Sequence, residues 1–223
     1  MPKQTFINLD AEKRDRFLSV ADTEFALHNY AQASISRIVA ELGIAKGSLY
    51  QYFDDKQDLY LYLIERAATT KFDFVREESG AGSAADDFFT LHARLVLAGA
   101  KFDLRYPRFS LILYRAMNET SGADSAAIVE ELKQRSADFL RQFVELATEK
   151  GEIRTDIDID LAVHMTNTMT LALGPYLKSK YGYTHLSQLH DPDAPLPFTM
   201  DELERDVQDL VGVMRSGLGP VRG

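Results

Sequence analysis

The stretch Ile44-Ala45-Lys46-Gly47-Ser48-Leu49-Tyr50-Gln51-Tyr52-Phe53 is where residue type and spacing point to a chemistry. It carries one cation and no acid, inside a chain of net charge −9. Ala45, Gly47 and Ser48 are small, so a helix starting here brings its backbone N–H groups and the positive end of its dipole close to a phosphate. Lys46 adds a mobile cation. Tyr50, Gln51 and Tyr52 add hydrogen-bonding tips: glutamine pairs with an adenine edge, and tyrosine hydroxyls reach phosphate. The chemistry is non-covalent, contact with a phosphate backbone and with base edges.

Other chemistries find little support. With no cysteine, disulfides, thiol nucleophiles and thiolate-bound zinc are excluded together. His28, His92, His164, His185 and His190 form no His-Glu-x-x-His or Glu-x-x-His pattern. A metal site would have to be assembled in three dimensions, from His185, His190, Asp191 and Asp193, and none is expected. Gly80-Ala81-Gly82-Ser83-Ala84-Ala85 has the glycines of a dinucleotide-binding turn but no preceding strand, so it reads as a linker. No nucleophile elbow or P-loop is present, and no catalytic residue or cofactor is expected. The composition, 45% hydrophobic and 26% charged, is that of a globular chain. No apolar run approaches the roughly 18–20 residues that cross a bilayer. Met1-Pro2-Lys3-Gln4 lacks the apolar core of a secretory signal, which predicts a cytoplasmic protein with no membrane partner. Its overall charge opposes non-specific polyanion binding, so any contact with nucleic acid must come from a local patch.

The elements that must position this stretch follow the helical period almost throughout. Asp10 caps a first helix running to Leu27, with Phe17, Val20, Ala21 and Phe25 inward and Asn29 as a left-handed stop. Ser34 caps a second, whose Ile35, Ile38, Val39 and Leu42 form one seam, and Gly43 ends it. A short third helix occupies Ala45 to Tyr52, with Leu49 and Phe53 for the core. Asp54-Asp55 opens a fourth that reaches Ser79. Two short helices joined by a tight glycine turn behind a longer brace outline a helix-turn-helix unit. Further helices are predicted at 85–102, 107–117, 124–150, 158–181 and 200–216, with a proline-containing loop over 182–199. The fold expected is all-α. Residues 1–9 are flexible, 10–55 the helix-turn-helix domain, 56–79 a connecting helix, 80–216 a larger antiparallel bundle, and 217–223 a frayed end.

The sequence resembles the TetR family of bacterial transcriptional regulators. The residues that carry the likeness are Phe25-Ala26, Tyr30, Ser34-Ile35, Ile38, Gly43-Ile44, Lys46 through Tyr50, Tyr52-Phe53, Lys56 and Leu59, within about residues 14–67. The resemblance implies a homodimer that sets the third helix of each protomer in the major groove of a roughly palindromic operator. It places phosphate contacts at Ser34, Lys46, Gly47, Tyr50, Tyr52 and Lys56, and base-facing contacts at Ala45, Ser48 and Gln51. Arg37 is a further candidate for the backbone. Departures from the family pattern are Asn29 for glycine, Glu24 for leucine, Ala45 for serine and Ala33 for threonine. Glu24 is expected either to rotate the first helix or to pair with a nearby cation.

The resemblance also implies a bundle that binds an inducer and forms the dimer contact. Phe88, His92, Phe109, Tyr114, Met117 and Phe143 are candidate lining for a small apolar or aromatic effector, with His164, Asn167 and Thr168 as its polar handles. Small residues at Ala162, Thr166, Thr170 and Gly174 permit close helix approach. Leu203, Val207, Leu210, Val211 and Met214 supply an apolar stripe, and both sets are candidates for the dimer seam. The mechanism expected is repression relieved when effector binding changes the spacing of the two heads. A DNA-binding regulator without a small-molecule pocket and an all-helical enzyme are the alternatives.

Overall fold

The structure, a computed structural model, describes residues 2–80, 86–118, 123–182 and 196–220. Among them are ten helices and no strand: α1 (Gln4–Ile7), α2 (Ala11–Leu27), α3 (Ile35–Leu42), α4 (Lys46–Tyr50), α5 (Lys56–Ser79), α6 (Phe88–Arg105), α7 (Pro107–Asn118), α8 (Ala123–Glu149), α9 (Ile159–Tyr181) and α10 (Met200–Leu218). The all-α expectation stands. The proposed linker residues 81–85, most of the 182–199 loop, and His185, His190, Asp191 and Asp193 lie outside the described residues. No described helix is long and apolar enough to cross a membrane.

The helix ends follow local capping chemistry. Asp10 accepts from Glu12 N–H, Ser34 from Arg37 N–H and Asp158 from Leu161 N–H. Thr199 and Glu202 form a reciprocal capping box at the start of α10. Gly43 ends α3 at φ 69°, a left-handed conformation that glycine adopts without a Cβ clash. Asn29 does not act as a left-handed stop, because no described non-glycine residue has positive φ. Instead α2 runs out into extended His28, and the Asn29 carboxamide oxygen accepts from Gln32 N–H at 2.9 Å.

The chain divides into two compact units. The first comprises Met1–Phe72 and Tyr106–Glu131, so α7 belongs with the amino-terminal helices and not with the bundle the sequence suggested. It packs along α2, with Leu111, Ile112 and Ala116 buried. Arg115 on α7 donates to the Ala26 carbonyl at 3.1 Å, close to the end of α2. Arg66 on α5 donates to buried Asp22 at 2.7 Å and covers the Phe109 ring at 4.7 Å. The residues expected to be a flexible start form α1, with Phe6 only 1% exposed among Phe17, Tyr52, Phe53 and Tyr62.

The second unit comprises Asp73–Arg105 and Leu132–Gly223. Its core joins Phe88, Phe89 and Val96 of α6, Val144 of α8 and Ala162, Leu173 and Leu177 of α9 to one face of α10. That face is Leu203, Val207, Val211 and Met214, between 0% and 4% exposed, with Leu210 partly covered at its edge. The stripe expected to meet a second chain is therefore internal, and so are Ala162 and Thr166, while Gly174 is exposed. An apolar face at helical spacing serves an internal core and a dimer seam equally well, and here α6 and α9 cover it. Leu218 extends α10 beyond the expected end at Ser216 and is buried, with its carbonyl accepting from Arg154 N–H at 2.9 Å.

Candidate nucleic-acid interface

Helix α4 is five residues long, too short to hold its own shape, so its seating decides its geometry. Leu49, fully buried, and Phe53, just beyond it and fully buried as well, anchor one side. The opposite side is bare. Ala45, Lys46, Gly47, Tyr50 and Gln51 are exposed and Ser48 half-exposed. A Cβ added at Gly47 would meet nothing among the described residues within 4 Å, so no contact with them requires glycine there. Lys46 makes no ion pair with a described residue. The helix thus presents a cation, amide and hydroxyl tips and bare backbone on one continuous face.

The two tyrosines part company. Tyr50 is 44% exposed. Tyr52 turns back onto the aromatic cluster, its ring 5.7 Å from both Phe6 and Phe17. A half-buried tyrosine keeps a wet polar end, but its ring here belongs to the core that seats α4.

Arg37 and Lys56, both expected to reach phosphate, are engaged within the chain. Arg37 grips Glu24 with Nε–O distances of 3.0 and 3.1 Å, and its Nη2 also donates to the Gln32 carbonyl at 2.7 Å. Glu24 additionally accepts from Ser34 N–H at 2.7 Å. Burial works against charge on Glu24, but the bonds from Arg37 and Ser34 outweigh it and hold the carboxyl below its ordinary range. The acid at the family's leucine position therefore pairs with a cation, the second of the two outcomes expected. Lys56 donates to the carbonyls of Tyr30, at 2.6 Å, and Ala33, at 3.0 Å, with its ammonium 4.5 Å from the Tyr30 ring centre. Burial lowers its affinity for a proton. Both cations clamp the backbone of 30–34 ahead of α3. Sequence spacing locates such residues but says nothing of a closer internal acceptor.

The effector candidates divide. Phe88, His92 and Phe143 come together in the second unit, with ring centres 4.7 Å apart for the phenylalanines and 5.6 Å for Phe88 and His92. His92 is 4% exposed and its Nε2 lies 2.9 Å from Thr170 Oγ1. Burial lowers its pKa from 6.5 to about 4, so it is neutral. His164, Asn167 and Thr168 point out from α9 and line no interior. They fall on the opposite side from Ala162 and Thr166, because a step of two residues, from 162 to 164 or from 166 to 168, turns the helix by about 200°. Phe109 lies under Arg66 in the first unit, and Tyr114 and Met117 are 57% and 40% exposed. The polar partner of buried His92 that the sequence did not reveal is half-buried Thr170, there assigned to the dimer seam.

Residues 17–63 match the family described as bacterial regulatory proteins, tetR family. A crystal structure of a TetR family transcriptional regulator from Chloroflexus aurantiacus J-10-fl is similar over 99% of this chain and 100% of that one, with 30% identity and a TM-score of 0.83. The HTH-type transcriptional regulator SAB2452 of Staphylococcus aureus (strain bovine RF122 / ET3-1) is 41% identical over 59 residues, 26% of this chain. The chain thus matches about a third, 32%, of that curated relative's length. AibR, solved in complex with isovaleryl coenzyme A and operator DNA, shares the fold at a TM-score of 0.64 and 16% identity, over 90% of this chain and 97% of that one.

Proposed function

Because this chain belongs to the TetR family of transcriptional regulators, we propose that it is a repressor that reads a roughly palindromic operator as a homodimer and is released by a small apolar or aromatic effector. The observation that carries the reading is the exposed face of α4, where Lys46, Gly47, Ser48, Tyr50 and Gln51 lie together over buried Leu49. Ala45 precedes that face as the cap residue of α4 and Tyr52 lies behind it, while Arg37 and Lys56 hold the backbone of 30–34 that leads to Ser34, the cap of α3. Such a regulator works where the operator is, in the cytoplasm.

The homodimer puts two such faces about one DNA turn apart, roughly 34–36 Å, or a multiple of it. With the α10 stripe internal, the dimer face assigned is the outer side of α9. Leu161, Met165, Leu171 and Tyr176 are 41–68% exposed there, flanking His164 and Thr168. The effector is assigned to the second unit beside Phe88, His92 and Phe143, with Thr170 as polar partner. It acts by favouring one spacing of the heads, so operator DNA weakens effector binding by the same factor that effector weakens DNA binding. Isovaleryl-CoA, the ligand named for AibR, is the first probe.

The test of the head uses a duplex selected by the protein from randomised DNA. Lys46→Met lowers affinity for all duplexes and flattens the slope of log K against log salt by about 0.9. Gln51→Ala relaxes preference at one base pair of each half-site. Unchanged affinity and preference in both variants overturn the reading.

A further inference from the structure

The amino-terminal arm closes the end of α4. Within the helix and the turn after it, the Ser48 carbonyl accepts from Gln51 N–H, and the Leu49 carbonyl from Tyr52 and Phe53 N–H. The next three carbonyls are taken by the arm. Lys3 Nζ donates to Tyr50 O at 2.8 Å, Thr5 Oγ1 donates to Gln51 O, and Lys3 N–H donates to Tyr52 O at 2.8 Å. Lys3 also pairs with Asp54 at 2.8 Å. The arm is itself pinned at the end of its short helix: Phe6 fills the ring cluster under Tyr52 and Phe53, and Arg14 on α2 donates to the Ile7 carbonyl at 3.1 Å.

A helix of little more than one turn has no cooperative ladder to fix its axis. Its direction is set by what anchors its side chains and what satisfies its last carbonyls. Here Leu49 and Phe53 supply the first and Lys3 and Thr5 the second. We infer that residues 2–9 are a positioning element of the DNA-reading head, which fixes the axis of α4 against the operator through Lys3, Thr5 and Phe6. The inference rests on α4 being the reading helix. It assigns to the arm a share of sequence discrimination without any contact with DNA, since a tilt of α4 misaligns base-edge bonds while leaving general attraction to phosphate intact.

Thr5→Val and Lys3→Met are surface changes that each remove arm-to-α4 bonds and keep Phe6. Binding is measured, over a range of salt, to a duplex selected from randomised DNA by the unaltered protein and to an unrelated duplex of equal length. Each variant is expected to lose roughly three- to tenfold in affinity for the selected duplex, the scale of one hydrogen bond. Affinity for the unrelated duplex and the salt slope stay unchanged, and Thr5→Ser and Lys3→Arg restore binding. Equal affinity of both variants for the selected duplex overturns the inference. So does a parallel loss on both duplexes with a slope lower by about 0.9, which would make Lys3 a phosphate contact. Lys46→Met and Gln51→Ala run beside them. If those bind as the unaltered protein does, the reading of α4 has failed; if those weaken and the arm variants do not, the arm inference alone has failed.

Discussion

Glu24 in the first unit and Asp206 in the second are both buried carboxylates held by a cation, and they are used differently. Glu24 is bound by Arg37 and by the Ser34 N–H, and Arg37 goes on to a carbonyl, as Lys56 does nearby. These charges hold backbone. Asp206 is bound by Lys180 and the Tyr181 hydroxyl, side chain to side chain, tying α10 to the end of α9. Arg215 of α10 likewise binds Asp87 ahead of α6 and holds that carboxyl down at about 2. In the head, internal charges shape a loop and a short helix whose outer face stays bare. In the bundle, they lock long helices whose apolar stripes face one another.

The largest effect expected separates core from seam in the bundle. Leu203→Ala removes a fully buried side chain from α10 and is expected to cost about 2–5 kcal/mol in denaturant unfolding. Leu171→Asp, on the exposed side of α9 at 68%, is expected to leave the fold intact and convert the proposed dimer to monomer in sedimentation. If Leu203→Ala instead gave a stable monomer and Leu171→Asp unfolded, the two faces would have to be exchanged.

A second effect concerns His92. Its pKa lies below the ordinary 6.5, at about 4, so between those values the unfolded chain takes up a proton that the native chain refuses. Stability then falls as pH falls from 6.5 to 4, on the order of 3 kcal/mol in total. Thermal melts of His92→Gln across this window are expected to show a flatter profile than the unaltered protein. An identical profile would mean the imidazole is not shut away from water.

A smaller effect tests the clamp in the head. Glu24→Gln leaves Arg37 without its carboxylate, and a loss of about 1–3 kcal/mol in unfolding free energy is expected. The carboxyl is held below its ordinary value of 4.5, so the pair stabilises above that pH and its contribution fades as pH falls further. Chemical denaturation at neutral pH and at pH below 4.5 reads both signs.

What the sequence disclosed differs between the regions for a physical reason. Helix boundaries were legible in both, because Asp10, Ser34, Gly43, Asp158 and Thr199 act through their own backbone neighbours. In the head the exposed face of α4 was legible too, since a five-residue helix with one buried leucine has only one other side to offer. The roles of Arg37 and Lys56 were not, because their acceptors, Glu24 and the carbonyls of residues 30, 32 and 33, come near only after folding. In the bundle the stripes were legible but their partners were not: Leu203 through Met214 repeat at a spacing that suits α6 of the same chain as well as α10 of another. Residues 2–9 escaped notice because Lys3, Thr5 and Phe6 show no period of their own.

The finest distinction is between two lysines ten residues apart in the same head, Lys46 and Lys56. A cation that meets phosphate in the complex displaces counterions, and its removal lowers the salt slope by about 0.9. A cation already bound to carbonyls before DNA arrives displaces none beyond those its charge attracts at a distance. Lys46→Met is therefore expected to flatten the slope, while Lys56→Met is expected to leave it nearly unchanged and to lower unfolding free energy by about 1 kcal/mol through the Tyr30 and Ala33 carbonyls it abandons. Measured slopes that fall equally for both would show Lys56 leaving its carbonyls for phosphate. The clamp on residues 30–34 would then be a feature of the free protein, exchanged for DNA on binding.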